Sequence, residues 1–355
     1  MAGRIVVAGA GAVGAGIAYH LALFGARGVV LAERAEIASG ATGKAMGGVR
    51  QQFSTAAEVR LAQASIRFFE ELGAAFFQQV GYVFIATTEV GLAELEERHA
   101  VQSELGVPVE RVDGARVAAL VPGLETADVL GGVYCGEDGT AIPGDVTREL
   151  VVRAGALGVD VREQTDALAL DRDVLVVACG PSSAQVAARI GVELPIRPLC
   201  RQLVHTTPVA GLVERLPMTV ESETGFHFRR RDDALVLAMS EATPRWGFAE
   251  RVDDVLAANW LARLHRRFPA AAGARIETAW AGLYDMTPDA HPIVGFVGEG
   301  VYSACGFSGH GFMQSPAVGR AAAEEILGLP PSVDLSPYRL ERFAAGAVFP
   351  EQVVL

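Results

Sequence analysis

The sequence is poor in cysteine, and its basic residues are too few to balance its acidic ones. Only four cysteines occur in 355 residues, and they form neither a CxxC pair nor another metal-ligand spacing. We therefore expect buried thiols in a reducing compartment, and no metal site. The formal net charge of −12 leaves no basic face for a phosphate backbone, which argues against a nucleic-acid partner.

Long apolar runs and a targeting pattern are also missing. No uninterrupted apolar run approaches the roughly 20 residues that a membrane helix needs. The first four residues lead directly into an apolar strand, without the charged and apolar regions of a signal peptide. We expect a cytoplasmic protein with no membrane partner. The one basic run, Arg229 to Arg231, is followed by two aspartates and is interpreted as a solvated strand end.

Glycine, in contrast, forms a distinct pattern near the N-terminus. Residues 4–34 read as strand, glycine turn, helix and strand, with G-x-G-x-x-G at Gly9, Gly11 and Gly14. The first glycine allows a tight turn, the second lets a pyrophosphate approach the backbone, and the third lets the helix pack on the strand. The helix N-terminus offers free N–H groups to phosphates. Glu33 ends the second strand, where it can accept ribose hydroxyl protons, so the unit predicts dinucleotide binding.

The segment after the second strand bears on which dinucleotide is bound. A carboxylate at position 33 disfavours the 2′-phosphate of NADP but does not separate NAD from FAD. The stretch "ASGATGKAMGGVRQQF" is rich in small and hydroxyl residues between Ser39 and Gly48, which suits a backbone passing close to a bulky flat ligand. A long surface loop explains the same composition, and composition alone leaves both interpretations open.

Several helices are predicted from capping signals and periodicity. Thr55 and Glu58 have capping-box spacing, and the pattern of apolar residues predicts a helix from about Thr55 to Gln79. An amphipathic helix is predicted between positions 252 and 268, and a last helix from Ala317 to Leu327.

The order of the predicted elements indicates an α/β fold in which two styles of sheet alternate along the chain. The N-terminal unit and "DVLVVACG" are typical of a parallel sheet, whereas the β-like runs of residues 196–240 suggest a largely antiparallel one. We expect a discontinuous Rossmann-like nucleotide-binding domain with a parallel central sheet, and a substrate-binding domain with a mainly antiparallel sheet flanked by helices. The first comprises residues 1–80, 135–195 and 286–355, and the second comprises residues 81–134 and 196–285.

Six motifs together carry a resemblance to a known family. They are "GAGAVG" with Glu33, "SGATGKAMGGVR", "DVLVVACGPSS", "WAGLYDMTPDAHPIVG", "GFSGHGFMQSPAVGRAAAEEI" and "DLSPYRLERF". They resemble the D-amino-acid oxidase superfamily of flavoproteins, specifically its sarcosine oxidase and glycine oxidase branch, over nearly the whole chain. The resemblance implies an extended FAD whose adenosine end lies on the first βαβ unit, with the isoalloxazine ring facing a pocket beneath the antiparallel sheet.

The resemblance also implies a set of cofactor contacts. In that family the glycine stretch corresponding to "GFSGHGFM" wraps the pyrimidine edge of the ring, and N–H groups at the start of the next helix can stabilise negative charge on reduced flavin. The predicted FAD contacts are Gly9, Gly11, Ala12, Val13, Gly14, Glu33, Arg34, Ser39, Ala41, Thr42, Met46, Gly47, Gly48, Ala178, Gly180, Gly282, Gly306, Ser308, Gly309, His310, Gly311, Phe312 and Met313.

Departures from the family pattern bear on the substrate. Arg50 aligns with the arginine that binds the substrate carboxylate, a role suited to bidentate guanidinium pairing; a surface arginine paired with a local acid is the alternative. Met313 stands where the family has an assisting lysine. His227 replaces a tyrosine that contacts substrate, and a buried structural histidine is the alternative there. We name Arg50, His227 and Met313 as candidate catalytic residues, and we expect a structural role for His310.

Other departures concern the flavin. Gly282 replaces the cysteine that bears the covalent flavin in the family, and Gly43 and Lys44 stand where some relatives use a histidine tether. We therefore expect non-covalent FAD. The family's lysine that promotes oxygen reactivity aligns near Val236, so this chain lacks it. An electron acceptor other than O₂ therefore stays open.

The activity implied by the resemblance is oxidation of the CH–NH bond of a small amino acid, an N-methyl or other secondary one such as sarcosine. Hydride transfer to flavin N5 gives an imine that water hydrolyses, and O₂ reoxidises the flavin to give H₂O₂. Two alternatives stay open. One is the flavin subunit of a multi-component amino-acid dehydrogenase of the proline, sarcosine or dimethylglycine type, with a partner subunit and a non-O₂ acceptor; the other is a non-catalytic FAD-binding assembly factor.

Overall fold

The computed structural model describes residues 3–355 and contains three sheets. The strands are β1 (Ile5–Ala8), β2 (Val29–Ala32), β3 (Gly48–Val49), β4 (Phe77–Gln78), β5 (Tyr82–Ala86), β6 (Val109–Val112), β7 (Gly131–Cys135), β8 (Gly139–Ala141), β9 (Asp160–Arg162), β10 (Val174–Val177), β11 (Arg197–Thr206), β12 (Met218–Glu221), β13 (His227–Arg231), β14 (Ala234–Ala238), β15 (Arg245–Trp246), β16 (Ile276–Met286), β17 (Ile293–Gly298) and β18 (Val301–Cys305).

Helices connect these strands and cover the sheets. The α-helices are α1 (Ala12–Leu23), α2 (Ala41–Lys44), α3 (Ala56–Leu72), α4 (Glu89–Glu104), α5 (Gly114–Leu120), α6 (Pro143–Ala156), α7 (Ser183–Ala188), α8 (Asp254–Arg267), α9 (Gly311–Ile326) and α10 (Glu341–Ala344). Within residues 3–355, no helix combines the length and the apolar character that crossing a membrane requires.

The first sheet is a six-stranded, mainly parallel sheet in the order β17-β18-β10-β1-β2-β9. Its central strand β1 pairs in parallel with β10 and β2, and only the edge pair β17–β18 is antiparallel. β1 and β2 are buried along their whole length, which explains why "IVVA" and "VVLA" are continuously apolar rather than alternating. The carboxyl ends of β1, β2 and β10 therefore lie side by side at one edge.

The second sheet has nine strands in the order β15-β11-β14-β13-β12-β5-β7-β6, with β16 paired to β11. All of its pairs are antiparallel except β5 with β12. α8 covers it with Trp260 and Leu264, and Phe268 stacks on Phe228 of β13. The predicted α/β fold class, with one parallel and one mainly antiparallel sheet, is confirmed. The division into two domains stays a prediction.

Helix boundaries differ from the predictions where glycine intervenes. α3 begins after Thr55, whose side chain accepts from the Glu58 N–H as predicted, but it ends at Leu72 and not at Gln79. Gly73 follows with φ of +86°, a left-handed conformation that ends a helix, and Phe77–Gln78 form β4. α9 begins at Gly311, six residues before the predicted start.

The interpretation of the basic run as a solvated strand end is wrong for Arg229. This residue is buried within β13, and its Nε donates to the Met46 carbonyl at 2.6 Å. Burial lowers the pKa of Arg229 to about 10. Arg229 thereby ties the antiparallel sheet to the glycine-rich segment that follows β2. All four cysteines are free thiols; Cys179 is partly exposed and the other three are buried.

α1 packs against α9 through two glycines. A Cβ added to Gly319 would lie 2.7 Å from the carbonyl carbon of Gly16, and one added to Gly16 would lie 2.9 Å from the Ser315 carbonyl oxygen. Backbone atoms on both sides leave no room for a methyl group. The two helices can pack this closely only because both positions are glycine.

We predict that Gly319→Ala destabilises the protein by about 1–3 kcal/mol, because the added methyl group forces α1 and α9 apart. The matched control is Gly155→Ala in α6, where an added Cβ meets nothing within 4 Å. The control should retain or slightly gain stability, since alanine favours helix over glycine. Urea unfolding of the three proteins measures both effects, and equal stability of the two variants would contradict the prediction.

Candidate active site

One large cavity joins the carboxyl edge of the parallel sheet to the antiparallel sheet. Its volume of about 710 Å³ is within the roughly 300–1,000 Å³ typical of small-molecule sites. The predicted site residues that line it are Gly9, Gly11, Ala12, Val13, Glu33, Arg34, Ser39, Ala41, Thr42, Met46, Gly47, Gly48, Arg50, Ala178, Gly180, His227, Gly282, Gly309, His310, Gly311, Phe312 and Met313.

Three predicted cofactor contacts lie outside the cavity wall. Gly14 packs against the Gly9 carbonyl, where a side chain has no space. The Gly306 N–H donates to Asp285 Oδ2 at 2.7 Å. Ser308 Oγ accepts from the Thr287 N–H at 3.1 Å. These residues shape the turns behind the cavity, and direct contact with a cofactor stays a prediction for each.

The nucleotide end is built on the turn between β1 and α1. Gly9 has φ of +103°, and its close approach to the Ala178 backbone leaves no room for a side chain. Gly11 precedes α1 without a side-chain cap, and the Ala12 N–H donates to Thr42 Oγ1 at 3.0 Å. N–H groups in the first turn of a helix have no intrahelical partner. The start of α1 can therefore bind a negatively charged group such as a pyrophosphate.

Glu33 is held at the end of β2 by the backbone. Its Oε2 accepts from the Ala10 N–H and its Oε1 from the Ala35 N–H, both at 2.9 Å. Each carboxylate oxygen keeps lone pairs for a further donor. The carboxylate is thus pre-oriented toward the cavity, where ribose hydroxyls would be expected.

The segment 39–48 wraps one side of the cavity. Ser39 through Thr42 and Lys44 through Gly48 all line it, and Gly47 has φ of +85°. The surface-loop interpretation of this segment is therefore wrong. Small side chains along the wall leave space for a flat ligand.

The second helix N-terminus that opens into the cavity is that of α9. It begins after His310 without a side-chain cap, and Gly309, Gly311 and Phe312 line the wall. The start of α9 favours negative charge for the same reason as the start of α1. A dinucleotide with a pyrophosphate and a ring that gains electrons fits a cavity with these two ends, so the residues present suit FAD.

Asp285 orients the loop before α9. This carboxylate is buried, accepts from the Gly306 N–H at 2.7 Å, and is close to the backbone of Phe307 and Ser308. Burial raises the pKa of Asp285 to about 6 although these N–H groups oppose the shift. The glycine loop is therefore held by a side chain from β16.

His227 belongs to β13 and lines the end of the cavity opposite the nucleotide end. Its Nδ1 lies 2.7 Å from the Gly225 carbonyl oxygen, which can only accept, so Nδ1 carries the proton and Nε2 keeps a lone pair. Burial lowers the pKa of His227 to about 4, and the charges of Arg50 and Arg201 add to the shift. The imidazole is neutral at physiological pH and can accept a hydrogen bond from a ligand.

Arg50 is fully buried next to His310. Its Nη1 donates to the Gln52 carbonyl at 2.5 Å and its Nη2 to the Val353 carbonyl at 2.8 Å, while the guanidinium stacks on Phe53 at 4.0 Å. It is not a surface arginine paired with a local acid. Burial and the nearby Arg50 charge lower the pKa of His310, so this histidine is neutral.

The last segment of the chain closes this end of the cavity. The Val353 carbonyl accepts from Arg50 Nη2 and from His310 Nε2, the latter at 3.1 Å, and Tyr284 Oη donates to the Leu355 oxygen at 2.8 Å. His291 anchors the segment upstream through Nε2, 2.6 Å from the Phe349 carbonyl oxygen. Burial opposes protonation, yet the hydrogen bond from His291 to Glu58 outweighs it and raises the pKa of His291.

The cavity residues that were not predicted from the sequence include Asp285, Arg201 and Tyr284, and Lys44 was considered only as the position of a flavin tether. Arg201 and Tyr284 lie on the paired strands β11 and β16, where each is followed directly by another polar residue, so no isolated polar position marked them in the sequence. Lys44 is the only lysine in the sequence, and its Nζ pairs with Glu250. That rarity was the available signal for Lys44.

The chain is similar to known proteins over most of its length. The family model described as DAO, FAD dependent oxidoreductase, matches residues 4–325. The chain is 27% identical to 4-methylaminobutanoate oxidase (formaldehyde-forming) of Paenarthrobacter nicotinovorans, over 96% of this chain and 46% of the relative. It is 26% identical to mitochondrial sarcosine dehydrogenase of Mus musculus, over 96% of this chain and 41% of the relative. It therefore spans less than half the length of these two proteins.

A solved structure matches over its whole length. The L-proline dehydrogenase from P. horikoshii superposes with a TM-score of 0.91 at 26% identity, covering 98% of this chain and 99% of that one. The comparisons confirm the predicted resemblance and the prediction that FAD is the cofactor.

Asp138 is a buried carboxylate that bonds the two residues after Arg50. Its Oδ1 accepts from the Gln51 N–H at 2.8 Å and its Oδ2 from Gln52 Nε2 at 2.9 Å, which fixes the turn after Arg50. Burial raises the pKa of Asp138 from its ordinary value of 3.8 to about 6. The folded protein thus holds this proton more tightly than the unfolded chain does.

We predict that Asp138→Asn gains stability relative to the native protein as pH rises from about 4 to about 6, by up to roughly 3 kcal/mol. In this window the native carboxyl ionises more readily in the unfolded chain, so ionisation lowers the native stability, whereas asparagine does not titrate. Urea unfolding of both proteins at pH 4 and pH 7 measures the change. A stability difference that is the same at both pH values would refute it.

Proposed function

Because the chain belongs to the DAO family of FAD-dependent oxidoreductases, we propose that it oxidises the CH–NH bond of a small secondary amino acid such as sarcosine. The observation that carries this proposal is the set of polar groups at the antiparallel-sheet end of the cavity. Arg50 and Arg201 supply positive charge suited to a carboxylate, and neutral His227 supplies an acceptor for an amine N–H.

The names of the relatives support this substrate class. They refer to 4-methylaminobutanoate, sarcosine and L-proline, and each of these compounds joins a secondary amine to a carboxylate. These activities are those of the named proteins. The chain spans less than half of two of them, so its own substrate, activity and partners form part of the proposal.

The side chains of this protein orient the substrate instead of acting as strong bases. Bound FAD would supply the acceptor for a hydride from the carbon next to nitrogen, and water would hydrolyse the resulting imine. The pKa of His227, about 4, is too low for an efficient general base at neutral pH. His227 is suited to hold a neutral amine through Nε2. Arg50 strengthens the attraction of this end for a carboxylate.

Met313 and Gly282 shape the cavity without supplying charge. Met313 contributes apolar surface where the family has a lysine, and Gly282 on β16 offers no atom for a covalent flavin bond. In our proposal the FAD is accordingly non-covalent. The N–H groups at the starts of α1 and α9, together with Glu33, would hold it.

The electron acceptor is proposed to be O₂, with H₂O₂ as the product. A second candidate is a dehydrogenase that passes electrons to a partner subunit. Val236, where the family has its oxygen-activating lysine, is buried in β14 and does not line the cavity, and Lys44 of the cavity is paired with Glu250. The cavity residues thus include no unpaired lysine, and this observation supports the dehydrogenase as the second candidate.

We predict that sarcosine bleaches the visible absorption of the flavin under anaerobic conditions. Glycine, L-proline and D-alanine serve as comparisons in the same stopped-flow experiment, since they differ in substitution at nitrogen and at the α-carbon. Admission of air then identifies the acceptor: rapid return of colour with stoichiometric peroxide supports O₂, and a slow return supports a partner protein. No bleaching by any of these amines would contradict the proposed oxidation and favour a non-catalytic FAD-binding protein.

We also predict that acid precipitation releases all of the flavin into the supernatant. No cysteine or histidine occupies positions 43, 44 or 282, where a tether would be expected. The absorbance of the supernatant at the flavin maximum measures release. Yellow colour that stays in the washed protein pellet would overturn non-covalent binding.

A further inference from the structure

Arg201 is the cavity residue whose charge has no protein partner. It lies on β11 directly opposite Gly282 of β16, and its guanidinium carbon is 5.9 Å from the centre of the Tyr284 ring. Its Nε and Nη1 atoms are shielded from solvent and have no hydrogen-bond partner among the described residues. No carboxylate of residues 3–355 forms an ion pair with it within 4.0 Å.

The other cations of the cavity all have partners. Lys44 pairs with Glu250, and Arg189 pairs with Asp166 at 2.9 Å. Arg34 donates to Ser182 at 3.1 Å. Arg50 donates through both Nη atoms to main-chain carbonyls. Arg50 Nε is also unpartnered, but both Nη atoms of Arg50 are used, whereas Arg201 lines the cavity and makes no hydrogen bond within the described chain.

Arg201 is half-buried, and its shielded Nε and Nη1 donors are costly to the folded protein while they have no partner. Burying a charge without a partner is strongly unfavourable, and the loss is recovered only when an anion with suitable geometry binds. Carboxylates match a guanidinium by two parallel hydrogen bonds. The site is thus prepared for a carboxylate, and binding requires no existing bond of Arg201 to be broken.

We propose that Arg201 binds the carboxylate of the substrate. This assignment rests on the proposed oxidation of an amino acid and names the residue that selects an α-carboxylate over a simple amine. The guanidinium lies in the same region as His227, whose Nε2 is free to accept from the amine of the same molecule. One small amino acid can contact both residues, with its carboxylate on Arg201 and its nitrogen toward His227.

Arg50 has a different role in this arrangement. A ligand that paired with its Nη atoms would have to displace the Gln52 or Val353 carbonyl. Arg50 holds the 353 segment against the cavity and contributes charge from behind it. Arg201, which sequence comparison did not single out, makes the direct contact.

The test measures binding without turnover. Methoxyacetate replaces the sarcosine nitrogen by an ether oxygen and cannot be oxidised as an amine, and 1,2-dimethoxyethane lacks the carboxylate. Each is titrated into the FAD-loaded protein while the visible flavin spectrum is recorded. We expect Arg201→Gln to weaken methoxyacetate on the order of 10- to 100-fold, the loss of a charge-assisted hydrogen-bond pair, and to leave dimethoxyethane unchanged.

Two further variants control for folding and for charge. Arg197→Gln removes an arginine from the same strand that stacks on Trp246 at 4.4 Å outside the cavity, and it should bind methoxyacetate normally. Arg201→Lys keeps the charge but not the bidentate geometry, and it should show an intermediate loss. If Arg201→Gln does not fold, the lysine variant carries the test.

The outcomes separate this inference from the proposed function. Unchanged methoxyacetate affinity in both Arg201 variants, or no binding by the native protein, overturns the role of Arg201 even if sarcosine reduces the flavin. Loss of FAD retention with unaltered ligand affinity also overturns it, because Arg201 would then serve the cofactor. Arg201-dependent binding without flavin reduction by any amine supports the carboxylate site while the proposed oxidation fails.

Discussion

The contact between α1 and α9 sets the geometry on which the cavity depends. The N-termini of these helices are two separate sources of positive potential, one at the β1 turn and one at the glycine loop after β18. Because Gly16 and Gly319 let the backbones touch, the separation of the two N-termini is fixed by packing rather than by a flexible loop. An extended FAD suits that arrangement, since the ribityl chain separates its pyrophosphate from its ring.

Electrostatic balance within the cavity follows a consistent rule. Acidic groups are held by backbone N–H groups or by cations: Glu33 by Ala10 and Ala35, Asp285 by the glycine loop, and Glu250 by Lys44. Positive charge at the antiparallel-sheet end is left in excess. A neutral His227 in that field can accept a hydrogen bond but is disfavoured from carrying a second positive charge. In the proposed function, this field favours an anionic ligand with a neutral amine.

The site also depends on contacts between segments remote in sequence. Asp138 fixes the turn that carries Arg50, and the 349–355 segment covers Arg50 and His310 through its carbonyl groups. His291 and Glu58 hold the start of that segment from beneath. This wall buries Arg50 and His310, and the low dielectric of a buried environment strengthens the charge interactions there.

The sequence alone determined the features that local geometry dictates: the glycine turn after β1, the acid at the end of β2 and the cap of α3 at Thr55. Its likeness to a flavoprotein family predicted FAD as the cofactor. Most of the site residues predicted from the sequence line the cavity, because those residues belong to turns and strand ends whose positions follow from the fold. Sequence reasoning failed for the end of α3, where Gly73 adopts a left-handed conformation, and for Arg229, which is buried. Only the tertiary structure decided that the donors of Arg50 reach a carbonyl 303 residues away, whereas those of Arg201 find no partner within the described chain. The physical reason is that local interactions fix turns and caps, whereas long-range packing decides which buried charge is already satisfied and which one is left for a ligand.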